Sequence, residues 1–230
     1  MSNKLVMQSS SGTAHIIAKD PLRLARQPNL TDYVAARNGF SWEAARNLLN
    51  GLPGGRGLNI AHEAVDRHAR SERADRVALR CLRKSGAREE LTYRDLASAT
   101  SRFANVLRNL GVSQGDSVFI LLGRVPELYI AVLGALKPKC VASPLFSAFG
   151  PEPIATRLEI GVGRVLVTTE ALYRRKIEAL RPRLSQLAHV ILIDDGPDLP
   201  ATLRWSQLIA AASDDFAIPP TSPEDTALPR

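Results

Sequence analysis

The chain has 230 residues, 45% of them hydrophobic, with 30 Lys and Arg against 23 Asp and Glu, a formal net charge of +7. That balance suits one large or two smaller globular domains, and the interspersed charges exclude wholesale disorder. Positive charge favours anionic partners, but most of the basic residues are spread from Arg23 to Arg183 and mixed with acids, which resembles a solvated surface more than a nucleic-acid stripe.

Residues 1–20 read as a polar tail around Ser9–Ser10–Ser11–Gly12, and Met1–Gln8 lacks an apolar core of signal-peptide length. After Pro28 the pattern turns helical. Thr31 is the expected cap of Asp32–Arg37, and Ser41 that of Trp42–Leu49, with Ala44, Leu48 and Leu49 sharing a face. Gly51–Gly57 breaks the helix. It shares only its glycines with a phosphate loop, because it lacks the Gly-Lys-Ser/Thr ending and no strand precedes it, so it reads as a flexible connection. Asn59 opens a helix through His68, with Ile60, Ala61, Ala64 and Val65 at helical spacing.

Val77–Leu82 and Glu90–Tyr93 read as a hairpin across Lys84–Arg88. Thr92 and Asp95 stand at capping-box spacing. The helix they open runs to about Leu110 and is apolar at Leu96, Phe103, Val106, Leu107 and Leu110, with Gly111 as its stop. Strands and helices then alternate. The strands are Ser117–Leu122, Lys139–Pro144, Arg164–Thr168 and His189–Asp194. The helices are Pro126–Leu136, Pro151–Ile160, Glu170–Leu180 (stopped near Pro182) and Trp205–Ala212. Continuous apolar strands between helices imply an α/β fold: a mostly parallel sheet with flanking helices and right-handed crossovers. The chain thus divides into a polar tail and helical lead-in over 1–56, an α/β unit over 57–212 and a polar, Pro-rich tail over 213–230. Within that tail Glu224–Leu228 reads like the start of another buried strand.

The side-chain chemistry is sparse. Cys81 and Cys140 lie in apolar strand-like runs and read as buried thiols, so a reducing, cytoplasmic setting is expected. Val118–Leu122 is soon followed by Arg124 and Glu127, so no membrane span is expected. The histidines His15, His62, His68 and His189 are scattered, without metal-site spacing. Ser143 and Ser147 lack a nucleophile elbow. Asp194–Asp195 follows a strand, where α/β proteins often meet a ligand, though a polar turn is the commoner meaning. No residue qualifies as a nucleophile or general base. The loop Pro144–Glu152 joins a strand to a helix, the usual ligand position of such folds. The basic run Arg174–Arg175–Lys176 lies on the next helix. It fans round more than half of that surface, so a solvated face is favoured over an anion site.

Several stretches together carry a family resemblance. Leu91–Leu96, Phe103–Leu107, Leu110–Val118, Pro126–Glu127, Phe146–Glu152 and Arg157 resemble, in order, the amino-terminal part of AMP-forming acyl-CoA synthetases, the adenylate-forming enzymes, and among them acetyl-CoA synthetase. The resemblance covers roughly Gly57 to Asp195, and more loosely Pro220 to Leu228. It implies an incomplete part of that family's amino-terminal domain. It also implies a reaction in which a carboxylic acid and ATP, with Mg²⁺, form an acyl-adenylate that passes its acyl group to coenzyme A. The loop matching Phe146–Phe149 is expected beside coenzyme A, so Ala148 is a candidate cofactor contact. Arg174 is expected to meet the nucleotide phosphates of that cofactor. Many acetyl-CoA synthetases carry Gly-Gly where this chain has Ser147–Ala148, and the added Cβ atoms narrow the approach of the pantetheine. The family's phosphate loop, ribose-binding Asp and catalytic Lys are expected beyond Arg230. The resemblance therefore implies an amino-terminal portion that is inactive alone. Its expected partner is a complementary carboxyl-terminal fragment or a full-length synthetase; nucleic acid and membrane are not expected partners.

Overall fold

A computed structural model describes residues 29–83 and 85–229. The expected polar tail at 1–20, with His15, lies outside the described residues, as does Lys84 of the hairpin turn. The chain divides between Asn47 and Leu48 into two compact units.

The described part of the first unit contains two short helices, α1 (Tyr33–Asn38) and α2 (Trp42–Arg46), neither with a buried residue. Asp32, not Thr31, caps α1: its carboxylate accepts from the Ala35 amide at 2.9 Å. Ser41 caps α2 as expected. That helix stops at Arg46, so Leu48 and Leu49 fall outside the face expected for them.

In the second unit the helix expected after Asn59 forms with a wide turn. A π-helical segment, His62–Asp66, runs into α3 (Arg67–Ala69). Asn59 accepts from the Ala61 and His62 amides, which starts the segment. Asp66 binds the ammonium of Lys137 at 2.8 Å, and that ammonium also donates to Ser101 Oγ at 2.9 Å. Lys137 is fully buried. Desolvation pulls its pKa down, opposed by Asp66. Removing either partner of such a pair leaves a charge in the core, which is why the pair locks this segment to its neighbours.

β1 (Val77–Leu82) and β2 (Arg88–Thr92) pair antiparallel, with Leu82 opposite Arg88. β2 leads directly into α4 (Tyr93–Asn109) through the expected capping box. Thr92 Oγ1 accepts from the Asp95 amide at 3.1 Å, and Asp95 accepts from the Thr92 amide at 2.9 Å.

The centre is a parallel sheet of β3 (Ser117–Leu121), β4 (Val141–Pro144), β5 (Gly163–Thr168), β6 (His189–Leu192) and β7 (Leu203–Arg204), in the order β4-β3-β5-β6-β7. Its faces follow the period-two alternation of a strand. Val118, Ile120, Val165, Val167 and Ile191 join Phe103 and Leu107 of α4 and Trp205 in one core. Phe119, Leu121, Leu166, Val190 and Leu192 point into the other. Accordingly α4, α5 (Pro126–Leu136) and α8 (Trp205–Ala211) cover one face, and α6 (Pro151–Ile160) and α7 (Glu170–Lys176) the other. Gly134 belongs to this packing, because a Cβ there would press on Phe103 and the Thr100 carbonyl.

Two further local expectations are corrected, and one strand is added. β4 begins at Val141 rather than Lys139, because Lys139 is left-handed (φ 64°). α7 ends at Lys176, and Pro182 lies inside a following 3-10 turn, Glu178–Arg183, rather than ending the helix. β7 was not anticipated, since two residues carry no periodicity.

The segment after α8 is packed rather than loose. Asn105 Nδ2 donates to the Ser213 and Asp215 carbonyls at 2.7 and 2.9 Å, and Ile218 is buried. Lys139 binds Asp225 at 2.8 Å. The Ala142 amide donates to the Ala227 carbonyl at 3.0 Å, which lays the 225–228 stretch beside β4 without making it a strand. Among the described residues, no helix is long and apolar enough to cross a membrane.

Candidate functional site

The chain passes from β3 outward to β4 and then back across β3 to β5. Connections therefore leave in opposite senses between β3 and β5. In open α/β sheets the crevice at the carboxyl ends of such strands is where ligands bind. Three features meet at this edge: the end of β5, the loop after β4 and helix α7.

Thr168 closes the end of β5, its buried hydroxyl donating to the Leu121 carbonyl at 2.9 Å. Thr169 caps α7, and Asp194 accepts from the Glu170 amide at 2.5 Å. Asp195 accepts from the Ser206 hydroxyl at 2.7 Å. The Asp194–Asp195 pair does stand at a strand's carboxyl end, but both side chains make structural bonds.

Leu145 anchors the loop after β4: it is buried, and its amide donates to the Ile120 carbonyl at 2.8 Å. Phe146 then turns outward and is 65% exposed. Ser147 and Ala148 form the turn, which the Phe149 amide closes onto the Phe146 carbonyl at 3.0 Å. The two aromatic rings meet edge to face at 5.6 Å, and the Arg157 guanidinium lies 4.4 Å from the centre of the Phe149 ring. Ala148 is exposed at the tip of this turn.

Arg174 is also exposed, on α7. Among the described residues its ionic partners are Glu170 at 3.0 Å and Glu178 at 3.8 Å. Glu170 is shared, because the buried Arg204 binds it at 3.0 Å from the other side. The hydrogen bond from Arg204 first, then that from Arg174, holds the Glu170 carboxyl below the usual carboxylate range. With Arg204 neutralising part of Glu170, the charge of Arg174 is less completely spent on its own helix. The contact between α7 and the loop is made by a different residue. Lys176 Nζ donates to the Ser147 and Phe149 carbonyls, 2.6 Å to each. The structure therefore brings α7 to the loop carrying Ala148, with Arg174 two residues before the lysine that makes the contact.

Sequence reasoning placed Lys176 in a basic run but gave it no role. Its one legible signal was membership of that run; its place in the last turn of α7 follows only from the observed end of the helix at Lys176. Arg204 and Glu170 carried no signal, since their pairing joins elements far apart in the chain.

The glycine loop at the other end of the unit takes a closed form. Its amides at Asn50 and Gly51 donate to the Glu63 carboxylate at 3.2 and 2.6 Å, and Leu52 is buried. The loop thus binds an anion, but that anion is the protein's own side chain. The expected flexible connection is in fact tied down at both ends, since the Thr221 amide also donates to the Arg56 carbonyl at 2.8 Å. A cavity of about 210 Å³ lies beside Gly163 and Leu187, lined by Arg183 and Gln186. Among the described residues, no group of three or more His, Cys, Asp or Glu side chains could hold a metal ion.

A switch-point sheet with a basic helix against a strand-to-helix loop defines an α/β protein whose carboxyl edge is the usual ligand position of such folds. Residues 65–228 match the AMP-binding enzyme family, and the chain belongs to it, within the AMP-forming acyl-CoA synthetase superfamily. It is 39% identical over 168 residues to the acetyl-coenzyme A synthetase of Bacillus subtilis (strain 168), a match covering 72% of this chain and 28% of that protein. It is 34% identical over 135 residues to the 3-hydroxypropionyl-coenzyme A synthetase of Sulfurisphaera tokodaii, covering 58% of this chain and 20% of that protein. The fold is similar to the crystal structure of Brucella canis acyl-CoA synthetase. There the TM-score is 0.75 at 33% identity, over 85% of this chain and 35% of that one. The matched region spans between a fifth and about a third of these relatives' lengths.

Proposed function

We propose that this chain is the amino-terminal region of an AMP-forming acetate or short-chain acyl-CoA ligase, and that its carboxyl-edge loop and α7 form part of the coenzyme A subsite. The observation that carries this reading is the juxtaposition of the Phe146–Gly150 loop with α7 at the switch point of a family-matched sheet. Arg174 is suited to the cofactor's nucleotide phosphates: its guanidinium is half-exposed, and its partner Glu170 is shared with Arg204. Ala148 would lie beside the pantetheine arm, where its Cβ narrows the approach. The cytoplasm is the compartment that suits two free thiols. Cys140 is buried and pushed up to about 12, and Cys81 is half-buried.

In the family's reaction ATP and Mg²⁺ supply the adenylate. The glycine-loop amides of Asn50 and Gly51 are taken by Glu63, so they are not offered to a phosphate. No adenylation step is therefore assigned to them. The 230-residue chain is expected to give no acetate-dependent ATP–pyrophosphate exchange above a heat-killed control, and clear exchange would refute that. Calorimetric titration tests the cofactor arm. Coenzyme A should bind, and Arg174→Ala should weaken binding about tenfold, the loss of one charge-assisted phosphate contact. Absence of heat with the wild-type chain would sink the coenzyme A reading.

A second reading is a module that docks on a full-length synthetase or on its complementary carboxyl-terminal portion. The exposed Leu58 and Ile60 favour it; they line a small cleft with Thr226 and Ala227. Co-purification with such a synthetase, lost on Ile60→Asp, is the expected result.

A further inference from the structure

We propose that Lys176 is the positioning residue of the Phe146–Gly150 loop, and that its ammonium sets the shape in which the loop meets coenzyme A; the second clause rests on the coenzyme A reading above. The loop has one internal backbone bond, from the Phe149 amide to the Phe146 carbonyl. The carbonyls of Ser147 and Phe149, which flank Ala148, both accept from Lys176 Nζ at 2.6 Å. An ammonium carries three donors in tetrahedral array, so a single nitrogen can hold two carbonyls at a fixed angle. Bonds from a charged donor are shorter and stronger than neutral ones.

The anchor of this clamp is rigid. Tyr173 and Ile177, the neighbours of Lys176 on α7 and just beyond it, are buried in the core under the sheet. Lys176 itself is half-buried. Arg174 and Lys176 therefore divide the work of the basic run. Arg174 is tied to carboxylates at Glu170 and Glu178 and faces solvent, whereas Lys176 is directed at backbone and shapes the turn. The Arg157 guanidinium over Phe149 holds the far side of the same loop. With the turn fixed from α7, the exposed Phe146 ring and the Ala148 Cβ are presented in one geometry rather than many.

The test is site-resolved proteolysis with chymotrypsin, read by mass spectrometry, on the full chain and on Lys176→Met, which keeps the apolar stem and removes the donors. Cleavage of a folded protein follows local opening. Cleavage after Phe146 and Phe149 should therefore rise about tenfold or more in K176M, with the melting midpoint and cleavage elsewhere unchanged. Lys176→Arg, which keeps a charged donor, should cleave more slowly than K176M. Coenzyme A affinity by calorimetry should fall in K176M and recover in K176R. Unchanged cleavage at the two phenylalanines in a natively melting K176M, or no difference between K176M and K176R, would overturn the assignment. If K176M melts early, hydrogen exchange of the wild-type chain decides. The Phe149 amide, the loop's internally bonded donor, exchanging as in an unstructured peptide would overturn the clamp, and its protection would support it. Faster cleavage in K176M together with no coenzyme A binding by the wild type leaves the clamp standing and removes only the cofactor reading.

Discussion

Two loops of this molecule differ both in composition, four glycines in Gly51–Gly57 against one in Phe146–Gly150, and in what holds them. Gly51–Gly57 is stabilised through its donors. The Asn50 and Gly51 amides go to Glu63, and the Leu52 amide goes to the Gly57 carbonyl at 2.8 Å. Phe146–Gly150 is stabilised largely through its acceptors, by Lys176, while Phe146 and Ala148 face solvent. The first loop shares only its glycines with a phosphate cradle and has the Glu63 carboxylate on its first amides. The second has no anion-binding signature in its own residues and acquires its setting from a helix about 30 residues further along the chain. The partner of a loop's backbone, more than its glycine content, decides whether it is available to a ligand.

The sharpest way to break the first loop is Gly57→Ala. Gly57 has φ 100°, and a Cβ there would collide with the Thr221 backbone and side chain. Strain and overpacking together should cost about 3 kcal/mol, visible as a lower urea midpoint. Glu63→Ala comes next. It leaves the loop amides and Arg67 without their carboxylate, whose bond to Arg67 is 2.8 Å, and should destabilise by about 2 kcal/mol. Neither change should raise chymotryptic cleavage after Phe146, which would separate the two loops experimentally.

Arg157→Ala acts on the second loop alone. Losing the cation over Phe149 should cost about 0.5–1 kcal/mol and modestly speed cleavage at that residue. The smallest effect is expected away from both loops, at the capping box. Bonds from Thr92 hold the Asp95 carboxyl below the usual carboxylate range. Its stabilisation is therefore present above the unfolded carboxylate pKa and is lost as pH falls through the lower folded value. Asp95→Asn should remove at most about 1 kcal/mol at neutral pH and flatten the acid limb of stability correspondingly. An unchanged acid limb in D95N would count against the box.

Much of the fold was legible because its signals are local. The helix α4 shows its cap, its apolar stripe and its glycine stop within one stretch of sequence. β3 shows a continuous apolar run, as a strand buried on both faces must. What escaped was short or irregular: the left-handed Lys139, the two-residue β7 and the wide turn at His62–Asp66. Each depends on contacts with distant residues, such as Lys139 with Asp225 or Asp66 with Lys137. The candidate site was half legible. Ala148 and Arg174 were picked out by resemblance, and both stand exposed at the carboxyl edge. The arginine that shares Glu170 and the lysine that shapes the loop were not assigned those roles, because hydrogen bonds to backbone carbonyls leave no pattern in side-chain identity.

By itself the amino-acid sequence determined the alternation of strand and helix, the two-sided burial of the sheet and membership of the AMP-binding enzyme family, since periodicity and ordered motifs are properties of the chain read along its length. Tertiary structure alone decided which strands are neighbours, that Glu63 occupies the glycine loop, and that Lys176 rather than Arg174 reaches the loop after β4. Those outcomes turn on distances of a few ångströms between residues far apart in sequence, and only packing sets such distances.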